Sequence, residues 1–185
     1  MLRRLATILV VILAGAPLAS PAPAQTPAQP PAAAPAPAQS AKCGPDHAIL
    51  YKKAATLLDT AEKKLNKGYT AEAKAMAKEA KSLFAILQSE CGQEQRERAL
   101  TEQEAQQEAI NQKLSADEMA QVERLEKSAA EKIKKAQPLE ATQPEAYKKL
   151  MSEVKTESDL AQKRSVKAMI YALRNQQMIF RYLGK

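Results

Sequence analysis

The chain has 185 residues, with 28 Lys+Arg against 21 Asp+Glu, two Cys, one His and no Trp. One His and two Cys are too few for a protein-derived zinc finger or a His-rich catalytic metal centre, and an aromatic content of 4% argues against a β-sandwich or a base-stacking platform. The length sets the expectation of one folded domain.

Residues 1–42 read as leader and spacer. Met1-Leu2-Arg3-Arg4 is basic, Leu5 to Ala16 is almost wholly apolar, and Ala22-Pro23-Ala24 supplies an A-x-A site. Those are the parts of a secretory signal peptide, expected over residues 1–24. The apolar run is shorter than the roughly 20 residues a membrane-spanning helix needs, which favours cleavage over anchoring. Residues 25–42 follow as a Pro/Ala-rich flexible linker, uncharged until Lys42. The expected location is periplasmic or secreted.

Residues 43–92 predict a helical hairpin. Pro45 and Asp46 suit a helix start, and Lys67-Gly68 suits a stop. Over 46–66, Leu50, Ala54, Leu57, Ala61 and Leu65 recur on one helical face. For the second helix, expected over 70–90, a stripe opening at Tyr69 and continuing through Ala73, Met76, Ala80, Leu83 and Leu87 does the same. Cys43 and Cys91 are equidistant from residue 67, so folding the helices back brings both thiols to the open end. An exported chain meets an oxidising compartment, and a Cys43–Cys91 disulfide is expected. By loop-closure entropy it contributes roughly 4 kcal/mol. Redox catalysis is disfavoured, since no C-x-x-C is present. Gly68-Tyr69, Glu72-Ala73 and Ala80 resemble part of a tetratricopeptide unit. No second copy follows at a spacing of about 34 residues, and such folds need about three units. The likeness stops at a generic helical hairpin, and no family is assigned.

Residues 93–185 predict further helix. Gln93 to Gln112 is rich in Glu and Gln with a narrow apolar face, suited to packing or to projecting into solvent. Ser115-Ala116-Asp117-Glu118 has the form of a capping box that opens the stripe Met119, Val122, Leu125, Ala129 and Ile133. Thr142-Gln143-Pro144-Glu145 signals another start, and no Pro or Gly interrupts the chain from there to Leu183. A helix of about 40 residues is long for a globular domain and predicts an elongated bundle or coiled-coil-like arm, with the polar patch 156–165 as a candidate bend. No useful strand alternation occurs, so the fold class is all-α.

Charge is unevenly placed. Residues 93–131 carry five basic and ten acidic groups, and residues 132–185 carry twelve basic and five acidic. Loss of Arg3 and Arg4 would take the formal net charge from +7 to +5. Two readings of the basic end follow: it pairs internally with the acidic middle, or it forms a basic amphipathic helix for an acidic protein or an anionic membrane surface. On the second reading the binding residues are Lys163, Arg164, Lys167, Ile170, Tyr171, Arg174, Phe180, Arg181 and Tyr182. Basic charge alone is a weak indicator of nucleic acid, which is not expected as a partner.

Catalytic chemistry has little to draw on. His47 sits beside Asp46 at a helix start with no Cys or His at ligand spacing. There is no G-x-S-x-G elbow and no Gly-rich phosphate loop, and the pairs Glu102/Glu104 and Asp117/Glu118 fall on polar helix surface. No enzyme activity, cofactor or metal is expected. The expectation is an exported, non-catalytic helical scaffold, adaptor or chaperone-like binding module for another envelope protein. The alternative is a peripheral membrane or cell-wall binder that uses the C-terminal helix.

Overall fold

The computed structural model describes residues 43–96 and 100–184; the expected signal peptide and linker lie outside the described residues, as do Lys185 and residues 97–99. Among the described residues the fold has four helices: α1 (Pro45–Asn66), α2 (Thr70–Arg96), α3 (Glu102–Ala136) and α4 (Pro144–Ile179). Short 3-10 turns, Gln137–Leu139 and Arg181–Gly184, follow α3 and α4. Among the described residues there is no strand, and no helix is long and apolar enough to cross a membrane.

Local chemistry sets the ends of α1. Pro45 occupies the first turn, where its missing N–H costs nothing, and the His47 ring Nδ1 accepts from the Gly44 N–H at 3.0 Å. Lys63 and Lys64 lie in the last turn, at the negative end of the helix dipole. The chain then reverses at Gly68, whose φ of 87° favours glycine. Its N–H and that of Tyr69 cap the carbonyls of Leu65 and Lys64 at 3.0 Å each.

α1 and α2 form the expected antiparallel hairpin, closed by the Cys43–Cys91 disulfide with a Cα–Cα separation of 5.6 Å. The C-terminal half of α4 packs against both helices. It runs antiparallel to α1: Arg174 meets Asp59 and Glu62, while Tyr182 lies against Cys43. Ala54, Leu58, Ala61 and Leu65 of α1, Ala73, Ala77, Ala80, Phe84, Leu87 and Cys91 of α2, and Val166, Ile170, Leu173 and Phe180 near the C terminus form the central core. Phe84 and Phe180 stack there with ring centroids 6.4 Å apart.

α3 packs on α4 and its following turn, antiparallel to α4. It gives no residue to the central core; Val122, Ala129 and Ala136 are buried outside it, as are Val154 and Ala161 of α4. Length explains this second, thinner strip. With 36 residues against 22 for α1, α4 spans about 54 Å against about 33 Å, and overhangs the hairpin. The overhanging part and the C-terminal half of α3 make a two-helix arm.

Four expectations change. Tyr69 is 53% exposed, because the turn at Gly68 carries it out of the α2 stripe. Ser115 does not start a helix: α3 runs through it, and the capping box is Thr101 with Glu104, each bonding the other's backbone N–H. Ser115 instead donates across to the Ala168 carbonyl at 3.0 Å. Met119 and Ile133 are substantially exposed, so the buried stripe of α3 is narrower than expected. Finally, α4 continues unbroken through residues 156–165.

Candidate interaction surface

The basic end of the chain is the site that sequence singles out, and α4 positions most of it. Lys163 is exposed. One turn of helix brings Arg164 and Lys167 to a single carboxylate, with Glu118 of α3 accepting at 2.8 Å and 2.7 Å. Lys167 also lies over the half-buried Tyr171 ring, 5.7 Å from its centroid. Arg174 bridges to α1, donating to Asp59 at 2.7 Å and to Glu62. Arg181 pairs with Glu104 at the start of α3 and donates to the Met178 carbonyl at 2.9 Å. The Tyr182 hydroxyl is 3.8 Å from Cys43 Sγ.

The apolar members of the expected binding stripe face inward. Ile170 is 3% exposed and Phe180 is fully buried. The nine residues therefore do not form one open docking face: two are core, and Arg164, Lys167, Arg174 and Arg181 are each joined to acidic groups of α1 or α3. Arg164, Lys167 and Arg181 pair internally with the acidic middle, while Arg174 pairs with α1. The reason is geometric. α3 and α4 are joined by a short turn and run antiparallel, so acidic and basic segments equally distant from that turn come side by side.

Titration follows this geometry. Burial disfavours the charged form of Glu118, but hydrogen bonds from Lys167 and Arg164 outweigh it and hold the carboxyl below its usual range. The Glu104 carboxyl is held down by the Thr101 backbone N–H, with Arg181 adding to the effect. For Lys167 the hydrogen bond to Glu118 raises the pKa against a smaller opposing effect of burial.

Sequence reasoning missed two features of this seam. Asn111 and Asn175, 6% and 7% exposed, share a hydrogen bond of 2.8 Å, and Asn175 also donates to the Glu108 carbonyl. On the arm, Ser128 and Lys132 both donate to Glu157, and Lys132 also pairs with Glu153. The visible signal was Asn111 and Ser115 continuing the Val122–Ala129 stripe at helical spacing. Ser152 and Lys155 have the Ser-x-x-Lys spacing of acyl-transfer enzymes. Both are exposed on α4, and among the described residues no hydrogen bond joins them. His47 is a capping residue whose Nε2 lies 2.8 Å from Glu90. No three His, Cys, Asp or Glu side chains among the described residues are grouped to hold a metal ion.

One groove beside α4 is bounded by α2, α4 and α3. It is lined by Phe84, Leu173, Ala172, Met169 and Met119, with Lys81 on its rim. Set against known protein families, curated proteins and solved structures, the chain matches none of them.

Proposed function

We propose that this chain is an exported, non-catalytic helical module that binds another envelope protein, as scaffold, adaptor or chaperone-like unit. The observation that carries the reading is the internal use of the basic helix. Arg164, Lys167, Arg174 and Arg181 already pair with Glu118, Asp59, Glu62 and Glu104, and Ile170 and Phe180 lie in the core. A helix that must insert an apolar face between lipid headgroups needs that face free. This weighs against the membrane-binding alternative and leaves the protein-binding one. The disulfide fits an oxidising compartment, consistent with export.

Crosslinking in cells, with the full-length chain as bait and mass spectrometry as readout, tests the reading. Reproducible crosslinks from the helical body to one or a few envelope proteins are expected. Co-sedimentation with anionic vesicles that is lost at high salt and on deletion of residues 163–185 would instead support the alternative.

A further inference from the structure

The groove beside α4 has a composition that specifies an occupant. Its two adjoining parts measure about 310 Å³ and about 270 Å³, and both are lined by Lys81, Ala172 and Leu173. Ala172 is exposed, so at this position α4 presents surface that no other helix covers, while Leu173 beside it is only 5% exposed and belongs to the core beneath. Ala168 and Ala172 on the floor are small enough to let a helix axis approach within the usual 8–10 Å. Met119 and Met169 supply adaptable apolar walls, a side-chain type that tolerates varied partners.

Charge along one rim narrows the choice. Lys74, Lys78 and Lys81 follow one another at spacings of four and three on α2, which places them on one helical face. Lys81 of this row lines the groove. Among the described residues none of the three is ion-paired, whereas Lys64, Lys132 and Lys167 all are. The second side of the groove presents Ser115 and Met119 of α3, not a second cationic row.

We propose that this groove seats a partner helix whose apolar stripe lies over Ala172 between the Met119 and Met169 walls, with a row of acidic residues along the edge facing Lys74, Lys78 and Lys81. The inference rests on the protein-binding reading above and adds the chemistry of the partner. Apolar contact with the floor provides the affinity, and the lysine row fixes which edge faces α2.

The test uses the full-length, disulfide-bonded chain and two labelled synthetic helices of about five turns. Both carry the same Leu/Ala stripe; one has Glu along one edge and its twin has Lys there. Fluorescence anisotropy should show the Glu helix binding at least about tenfold more tightly than the twin, with the difference shrinking at high salt. Lys81→Glu should weaken the Glu helix by about tenfold and favour the twin. Ala172→Arg, at an exposed position, should abolish binding of both while leaving the thermal midpoint unchanged. Equal binding of the two helices, no binding of either, or indifference to Ala172→Arg would overturn the proposal. So would displacement of the Glu helix by phosphatidylglycerol vesicles through Lys81, which would assign the groove to lipid. Envelope-protein crosslinks that avoid α2 and the α4 floor would sink the groove while leaving the protein-binding function standing. Peptide binding with no envelope-protein crosslinks would do the reverse.

Discussion

Asn111 and Asn175 occupy the α3–α4 seam where apolar side chains would bury more surface, and each uses the other to satisfy a buried amide. Truncating one strands its partner. Asn175→Ala is expected to cost about 1–3 kcal/mol, because the Asn111 amide then loses its acceptor and stays desolvated. Replacing both with Leu removes both polar groups and should recover most of that loss. Urea midpoints of the two variants check the pair: a double variant as weak as the single one would show that packing, not hydrogen bonding, sets the cost. Phe180 answers to a different force. It is fully buried against Phe84, and Phe180→Ala should cost about 3–5 kcal/mol through lost burial and a residual cavity. Neither position stands out by residue type. Asn is ordinarily a surface or cap residue, and a Phe five residues from the sequence end looks like an exposed anchor until α4 is seen folding it back onto the disulfide-closed hairpin.

At the scale of elements, the hairpin and the α3–α4 pair are held by different means. α1 and α2 share a continuous apolar core with α4 and a covalent clasp at their open end. Reduction of Cys43–Cys91 should lower stability by roughly 4 kcal/mol, seen as an earlier denaturation midpoint with the helical signal retained before unfolding. α3 contributes nothing to that core and meets α4 through alanines, one valine, the Asn pair and ion pairs. Its amides are therefore expected to exchange with solvent faster than those of α2, whose buried face lies wholly in the core. Exchange read by mass spectrometry on fragments of the native protein checks this, and matched rates would mean that α3 opens only with the whole fold. The hairpin was legible because apolar spacing and two cysteines agree. The start of α3 was not, because Ser115-x-x-Glu118 satisfies a capping pattern anywhere it occurs, and only tertiary structure shows its two polar side chains reaching across to α4.

For the molecule as a whole, the acidic middle and basic end were visible as net charge in the sequence. Which cations pair was not, since that depends on a register fixed by the short turn after α3 and by the Asn pair. The register matters most when carboxylates are neutralised. Glu104 and Glu118 of α3 and Glu153 and Glu157 of α4 all face cations across this seam, and all four have pKa values lowered from an ordinary 4.5. For Glu153 and Glu157 the leading cause is the hydrogen bond from Lys132. A carboxylate depressed on folding adds stability that is fully present above its unfolded value and is lost as pH falls through its folded one. The seam is thus expected to hold steady from neutrality down to about pH 4.5 and to weaken below it. α1 and α2 keep their disulfide and apolar core through the same range, so acid should loosen α3 before the hairpin. Amide exchange compared at pH 7 and pH 3, corrected for intrinsic rates, separates the outcomes. Protection lost first over residues 102–136 is expected. Loss in step across α1, α2 and α3 would show that the core and the seam melt as one unit, and that the ion pairs carry no stability of their own.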